Sequence, residues 1–201
     1  VEDDSVTRTL FELYIKNSSG YRLVESIESA YTAELYCMRN AVDLVLMDVC
    51  TGLGASGLEA AAKIKKNCPG IKVIIITSQP ECDFMNRARA AKVDSFWYKD
   101  PTETGLLSVM DQTMAGISVY PEAAPAVAIG EIKSSELSAV DLRILRELTG
   151  GDTDEEIAEH LHLSPWTVRK YIKTMLEKTG FKSRTQLAVA ARTSGLVIRE
   201  Y

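Results

Sequence analysis

Carboxylate, hydroxyl and ammonium side chains follow short apolar runs at several points in this chain. Asp48 follows four apolar residues, Thr77 a β-branched run and Lys99 an aromatic run, while Glu2 and Asp3 follow Val1 at the start of the chain. Three carboxylates in one place repel one another unless a cation lies among them, and Mg²⁺ prefers such oxygen ligands. A hydroxyl and an ammonium group facing that ion would bind the other oxygens of a phosphoryl group. The set therefore predicts magnesium-assisted transfer of a phosphoryl group to Asp48.

Buried parallel strands would bring these side chains together. The apolar runs have strand length and alternate with segments of helical periodicity, which is typical of a doubly wound parallel α/β sheet. The chain is expected to open inside a first strand, so that part of its native N-terminus is absent, and the other predicted strands are 21–27, 43–48, 71–76 and 95–98. The predicted helices are 5–15, 29–39, 58–66, 82–91 and 103–115. Ligands of such sheets bind beyond the carboxyl ends of the strands, where all five side chains would lie.

Length and composition predict two small globular domains. The 201 residues are 46% hydrophobic and 25% charged, which suffices for two separate cores. We expect an α/β domain at 1–116, a linker with at most one helical turn at 117–136, and a small all-α domain at 137–201. No apolar run has membrane-spanning length, and the four cysteines lack the spacing of a zinc site or a disulfide framework. A cytoplasmic protein with reduced thiols and no membrane partner is therefore expected.

The charge distribution singles out one stretch of the second domain. The whole chain has a net charge of -5, and residues 117–201 carry -1. Within residues 164–184, however, six cationic side chains stand against one glutamate, giving a local charge of +5. A basic stripe on an acidic protein indicates a surface that binds nucleic acid.

Capping residues delimit four helices in the second domain. The predicted starts are Ser138, Thr153 with Glu156 as a capping box, Ser164 before Pro165, and Ser183 with Gln186 as a second capping box; the predicted ends include Leu148 and Gly180. The short connection between the second and third helices has the spacing of a helix-turn-helix.

The third of these helices has an apolar face and a cationic face. The apolar face consists of Val168, Tyr171, Ile172, Met175 and Leu176. Trp166, Lys170, Lys173 and Glu177 share another face, which Arg169 borders. A recognition helix presents such cations to phosphates and guanine edges in the major groove. A merely solvated basic face is the alternative, but the acidic helix before it shows that solvation does not require positive charge, so DNA binding is favoured.

Residues 1–116 resemble the flavodoxin-like receiver domain of two-component response regulators. The resemblance implies a role for each of seven residues in one phosphorylation site. These are Asp48 as phosphoacceptor, Glu2, Asp3 and the main-chain carbonyl of Cys50 as further metal ligands, Thr77 and Lys99 as phosphate-sensing groups, and Phe96 as the switch aromatic. It also implies Mg²⁺ as cofactor and a sensor histidine kinase as phosphoryl donor. In the loop after Asp48, Gly52 and Ser56 stand where the family usually has proline and glycine, and the glycine comes one residue later, at Gly57. This predicts a one-residue insertion in that loop.

Residues 137–197 resemble the LuxR-type DNA-binding domain of NarL/FixJ response regulators. The matching motifs are Asp154–Ala158, Ser164–Arg169 and Ser183–Thr185. The resemblance implies that seven side chains bind DNA: Arg169, Lys170 and Lys173 at base edges, and Trp166, Thr167, Lys178 and Arg184 near the backbone. It also implies a dimer surface on the last helix, 184–194, although the apolar residues of that helix fit a core equally well.

Together these features predict a response regulator that controls transcription by binding promoter DNA and forms a homodimer when Asp48 is phosphorylated. We do not expect an enzyme. A phosphorylation-independent regulator stays open because of the altered loop after Asp48. A magnesium phosphatase with an aspartyl intermediate is a further alternative, but it would need an acid where the chain has Cys50. In a third alternative the helices of the second domain contact another protein instead of DNA.

Overall fold

The computed structural model describes residues 1–81, 83–99 and 105–197. The predicted helix starts at residues 82 and 103 lie outside the described residues, as does the end of the predicted second domain, 198–201.

The described chain forms two compact units. The first unit comprises residues 1–78 and 83–122, and the second comprises residues 79–81 and 123–197. The first is an α/β unit and the second is largely helical, as the sequence predicts.

A parallel sheet forms the centre of the first unit. In chain order the strands of this unit are β1 (Leu44–Asp48), β2 (Cys50–Thr51), β3 (Ala55–Ser56), β4 (Lys72–Thr77) and β5 (Ser95–Tyr98), of which β2 and β3 form a separate antiparallel pair. Strands β1, β4 and β5 pair in parallel in the order β1–β4–β5, with Leu46 opposite Ile74 and Asp48 opposite Ile76. The β-branched run 73–76 of β4 is completely buried. Because successive side chains of a strand point to opposite faces, both faces of the sheet must be covered.

The described residues of this unit form five helices around the sheet. They are α1 (Ser5–Asn17), α2 (Ala33–Arg39), α3 (Gly57–Asn67), α4 (Asp83–Ala90) and α5 (Leu106–Met114). Helices α1 and α5 pack on one face, where Phe11, Val109 and Met110 contact the side of the sheet that carries Ile74 and Ile76. The predicted helix 29–39 starts with a 3₁₀ turn, Ala30–Thr32, before it becomes α2.

Two of the predicted strands are wrong. Neither the chain start nor residues 21–27 form a strand. The amide of Glu2 donates to the carbonyl of Ile27 at 3.0 Å, and the amide of Asp48 donates to the carbonyl of Val1 at 3.0 Å. A cavity of about 410 Å³ is lined both by residues 20–27 and by residues 41–46. Residues 21–27 thus line this space, and their β-like side-chain pattern is not matched by strand hydrogen bonds.

Up to residue 197, the second unit combines a short hairpin with four helices. In chain order its elements are β6 (Ala128–Ile129), β7 (Ile132–Lys133), a 3₁₀ turn (Ser134–Glu136), α6 (Ala139–Thr149), α7 (Asp154–Leu161), α8 (Pro165–Thr179) and α9 (Arg184–Thr193). The hairpin lies within the segment 117–136, for which the sequence predicts a linker. Ile129 is only 1% exposed and packs into the helical core, and Gly130 makes the tight turn with a φ of 61°. A buried apolar anchor thus makes this part of the segment belong to the second unit.

The helix starts of the second unit follow the predicted caps with one difference. The Thr153 hydroxyl accepts from the amide of Glu156, whose carboxylate accepts from the amide of Thr153, so this capping box is present. The Ser183 hydroxyl accepts from the amide of Gln186, but the Gln186 side chain accepts from the amide of Lys182. The second predicted capping box is therefore wrong in its return bond.

Candidate phosphorylation site and nucleic-acid interface

An ammonium group and two carboxylates meet at the carboxyl end of β1. Lys99 Nζ lies 2.7 Å from Glu2 Oε2 and 3.1 Å from Asp48 Oδ2. The other oxygen of Asp48, Oδ1, accepts a hydrogen bond of 2.8 Å from the amide of Val49. Strand β1 places Asp48 here, while Lys99 directly follows β5, so that parallel strands bring together residues that are 51 positions apart in the sequence.

Burial controls the charge of this cluster. Asp48 is 8% exposed and Glu2 2% exposed. Burial is the main cause that raises the pKa of Asp48 from 3.8 to about 7; the Lys99 ammonium opposes this rise, and the Glu2 carboxylate adds to it. A cation bound between the carboxylates would favour the ionised form of Asp48 and lower its pKa. The site is therefore electrostatically suited to a divalent ion.

Three carboxylates in the crevice have the placement of a metal site. One oxygen from each of Glu2, Asp3 and Asp48 lies within 4.8 Å of the others. Asp3 is exposed, which leaves this side of the group open to water and to phosphate oxygens. An acidic, oxygen-only donor set with an open side fits Mg²⁺, which keeps several waters when bound. Asp4 has a different role, since its carboxylate caps α1 by accepting from the amide of Thr7 at 2.7 Å.

The loop after Asp48 is a small hairpin. Cys50 opens β2 opposite Ser56 of β3, and its carbonyl stays a predicted metal ligand. Between these strands, Leu53 and Gly54 have φ values of 64° and 70°, and Leu53 is 97% exposed. This loop thus makes a tight turn that exposes Leu53 to solvent, and the one-residue insertion stays a prediction.

Gly57 follows this hairpin and packs against Asp48. A Cβ atom at Gly57 would lie 1.8 Å from the carbonyl oxygen of Asp48, so only glycine fits. The amide of Gly57 donates to the carbonyl of Val49 at 2.8 Å, which fastens the start of α3 beside the site. The displaced glycine is visible in the sequence, but its contact with Asp48 is not, because close backbone approaches leave no pattern in a single sequence.

Thr77 and Phe96 are buried in the neighbouring strands. Thr77 is the last residue of β4 and follows Ile76, the residue that pairs with Asp48 in the sheet. The amide of Lys99 donates to the carbonyl of Thr77 at 2.8 Å. Phe96 is fully buried in β5, with its ring 5.1 Å from that of Tyr98 and 6.1 Å from that of Tyr120. The structure thus brings Glu2, Asp3, Asp48 and Lys99 together, puts Thr77 in the adjacent strand, and holds Phe96 in the core.

Arg8 is a residue of this site that sequence reasoning missed. Its guanidinium donates to the carbonyl of Glu2 at 2.8 Å and to Glu28 Oε1 at 2.9 Å. It therefore fixes the backbone of the acidic pair from α1. The only sign of this role in the sequence is that Arg8 lies one helical turn after Asp4, the N-cap of α1.

The candidate nucleic-acid interface is the exposed face of α8. Ser164 caps this helix by accepting from the amide of Thr167, and the two hydroxyls are 2.8 Å apart. Three residues anchor the other face in the helical core: Val168, Ile172 and Met175. Of the seven predicted DNA-binding residues, Thr167 and Arg184 are half-buried, and five are exposed: Trp166, Arg169, Lys170, Lys173 and Lys178.

The cations on this face differ in their partners. Lys170 Nζ lies 5.6 Å from the centre of the Trp166 ring, a cation–π contact. Lys173 and Glu177 are 3.8 Å apart and exposed, so their attraction is weak. Arg169, in contrast, is bound by two carboxylates of α7, which the charge pattern of the sequence did not reveal.

The apolar residues of α9, which the sequence assigns either to a dimer surface or to the core, lie mainly in the core. Leu187 and Ala191 are completely buried in the core of the second unit, and Ala190 packs against it. Val189 is 56% exposed and remains available on the outer side of α9.

No helix among the described residues is both long and apolar enough to cross a membrane.

Both halves of the chain match known families. Residues 1–111 match the response regulator receiver domain, and residues 135–191 match the luxR family of bacterial regulatory proteins. The chain is 27% identical to the response regulator UvrY of Escherichia coli K12 over 204 residues, covering 98% of this chain and 93% of UvrY. It is 29% identical to the response regulator protein VraR of Staphylococcus aureus NCTC 8325 over 202 residues, covering 98% of this chain and 96% of VraR.

A solved structure shares the fold along almost the whole chain. It is RcsB from Salmonella enterica serovar Typhimurium bound to promoter rprA in the presence of the phosphomimetic BeF3-, with a TM-score of 0.59 and 18% identity over 94% of each chain. The receiver match, the luxR match and the crevice geometry agree: the chain belongs to the response regulators of the NarL/FixJ type, with a receiver domain followed by a LuxR-type DNA-binding domain.

Proposed function

We propose that this protein controls transcription by binding promoter DNA, and that phosphorylation of Asp48 by a sensor histidine kinase switches it. The observation that carries the proposal is the group of Asp48, Glu2 and Lys99, with contacts of 2.7 and 3.1 Å at the end of β1. Phosphorylation would promote a homodimer that binds DNA through α8. We assign the receiver to residues 1–116 and the DNA-binding domain to residues 137–201, extended at its start by the hairpin of the intervening segment.

The chemistry follows from the groups at the crevice. Glu2, Asp3, Asp48 and the carbonyl of Cys50 would hold Mg²⁺, which neutralises negative charge on the phosphoryl oxygens when bound. A carboxylate oxygen of Asp48 attacks the phosphorus of a phosphohistidine. The new O–P bond forms as the N–P bond breaks, and the imidazole keeps the electron pair of that bond.

The remaining residues respond to the new charge. Lys99 is already within 3.1 Å of Asp48, so its ammonium can pair with a phosphoryl oxygen after modest movement. The hydroxyl of Thr77 would bind another of these oxygens, and Phe96 would pack inward behind it. Phosphorylation shifts the population of active molecules only to the extent that these contacts differ between the two states.

The test is DNA binding with and without beryllium trifluoride plus Mg²⁺, using a pool of promoter fragments and following the oligomeric state. We expect tighter binding together with dimer formation, and loss of this response in Asp48→Ala. Asp43→Ala is the matched control, since Asp43 is an exposed acid just before β1. A second measurement is covalent phosphorylation of the protein. If the Asp48→Ala variant still becomes phosphorylated, the assignment of Asp48 as phosphoacceptor is wrong.

A phosphorylation-independent regulator is the second candidate. It is supported by the hairpin after Asp48 and by the raised pKa of about 7, which leaves Asp48 partly protonated at neutral pH without a metal. In this case, DNA binding and oligomeric state would ignore beryllium trifluoride while Asp48→Ala bound DNA like the wild type.

A further inference from the structure

Two acidic residues at the start of α7 hold two of the predicted DNA-binding arginines. Arg169 Nε donates to Asp154 Oδ2 at 3.0 Å, and its terminal nitrogen donates to Glu155 Oε1 at 2.6 Å. Arg184 of α9 donates to Asp154 Oδ1 at 2.9 Å and to the carbonyl of Asp152 at 2.8 Å. We call Asp154, Glu155, Arg169 and Arg184 the acidic clamp.

The two acids of the clamp have different surroundings. The side chain of Asp154 is 16% exposed and lies between both arginines, so it ties α7 to α8 and α9. The side chains of Glu155 and Arg169 are 64% and 60% exposed. Since an exposed ion pair is weak, the bond between Glu155 and Arg169 can be exchanged for another partner.

The clamp puts negative charge at the edge of a surface that would approach DNA. Non-specific binding comes almost entirely from cations that neutralise phosphates. To contact a phosphate, Arg169 has to give up carboxylate contacts that are chemically similar, so such an exchange gains little. A guanine edge offers two acceptors that match the fork geometry of a guanidinium. Moving Arg169 from the carboxylates to DNA is therefore favourable only at the correct base.

We propose that Asp154 and Glu155 are specificity-determining residues of the DNA-binding domain: they hold Arg169 and thereby suppress its binding to phosphates of unrelated DNA. Asp154 positions the arginine, and Glu155 sets how readily it is released. This inference rests on the proposed DNA-binding function.

Glu155→Gln in the full chain tests the inference, because it removes the charge and keeps the size of an exposed side chain. One probe is the tightest-binding duplex that the wild-type protein selects from a randomised library, and the other is a scrambled duplex of the same composition. We expect affinity for the scrambled duplex to rise about twofold to fivefold, with a smaller rise for the selected duplex. The slope of log affinity against log salt should become steeper by up to about 1 for the scrambled duplex.

Glu159→Gln is the matched control, because Glu159 is another exposed acid of α7 and hydrogen-bonds neither arginine in the described structure. If both variants gain the same affinity, or neither does, the inference is wrong while DNA binding itself stands. If the wild-type protein selects no duplex at all, the proposed function fails and the inference fails with it.

A double-mutant cycle separates the clamp from simple repulsion. In the background of Arg169→Ala, Glu155→Gln should have no further effect on the scrambled duplex, because the arginine that it releases is gone. If Glu155→Gln still raises the affinity for the scrambled duplex to the same extent in this background, Glu155 repels phosphates directly. The inference would then be wrong.

Discussion

The charge of Asp48 depends on a balance between burial and one neighbouring cation. Burial outweighs the attraction of Lys99 and raises the pKa of Asp48 to about 7, above its ordinary value of 3.8. Because the folded state holds this proton more tightly than the unfolded state, protonated Asp48 stabilises the fold. This contribution is complete below pH 3.8 and is lost as pH rises through about 7.

The metal-free protein should therefore lose stability between about pH 4 and pH 7, and Asp48→Asn should reduce this loss by about 1–3 kcal/mol. Urea denaturation across this pH range measures the effect. Added Mg²⁺ should stabilise the wild-type protein near pH 7, because the ion favours the ionised carboxylate.

Asp43→Asn is the control for this experiment, since the Asp43 side chain is exposed and its loss should leave the pH dependence unchanged. An equally steep loss of stability in Asp48→Asn would show that other groups cause it.

Gly57 is the residue whose replacement should damage the site most directly. Gly57→Ala puts a Cβ atom 1.8 Å from the carbonyl oxygen of Asp48, so the backbone at the end of β1 must shift. We expect a loss of about 2–4 kcal/mol in the free energy of unfolding, measured by urea denaturation, together with a weaker response to beryllium trifluoride. Gly70→Ala is the control, because no atom lies within 4 Å of a Cβ at that position. Equal stability of the two variants would contradict the close approach.

At the scale of elements, the hairpin β6–β7 decides where the second domain starts. Ile129 is 1% exposed in the core that α6, α7, α8 and α9 share. Ile129→Ala should lower the stability of the second unit by about 2–4 kcal/mol, because it leaves a cavity in this core. The measurement is amide hydrogen exchange of α6 and α8.

Glu131→Ala in the hairpin turn serves as the comparison, since it removes a polar side chain from the same hairpin without emptying the core. If Ile129→Ala leaves the exchange rates of α6 and α8 unchanged, the hairpin is part of a linker, as the sequence alone suggests.

At the scale of the whole molecule, the net negative charge of the chain opposes its binding to DNA. The chain carries a net charge of -5, so DNA attraction must come from the stripe at residues 164–184 with its local charge of +5. Arg169→Ala combined with Lys173→Ala should weaken DNA binding and reduce the magnitude of the salt slope by up to about 1, because the acidic clamp already neutralises Arg169. Titration of labelled duplex at several salt concentrations gives both values.

Lys63→Ala combined with Lys66→Ala is the matched control, because it removes the same charge from exposed positions on α3 of the first unit. A similar loss in both double variants would show that net charge, and not the face of α8, governs binding.

The sequence by itself determined the helix starts of the second unit and the three strands of the parallel sheet. Local rules were enough for the caps Ser138, Thr153, Ser164 and Ser183, because a capping hydroxyl bonds an amide only two or three residues away. The alternation of apolar runs and helical segments likewise predicted β1, β4 and β5, and with them the ends at which Asp48, Thr77 and Lys99 lie.

Only the tertiary structure decided which groups touch. The clamp on Arg169 and the contact of Gly57 with Asp48 each join different elements, and the missing strand at residues 21–27 depends on which backbone lies beside that segment. Side-chain pattern reports burial and period, but strand pairing requires a partner backbone at hydrogen-bond distance, and the ion pairs of Arg169 require carboxylates on another helix. A single sequence contains neither of these distances.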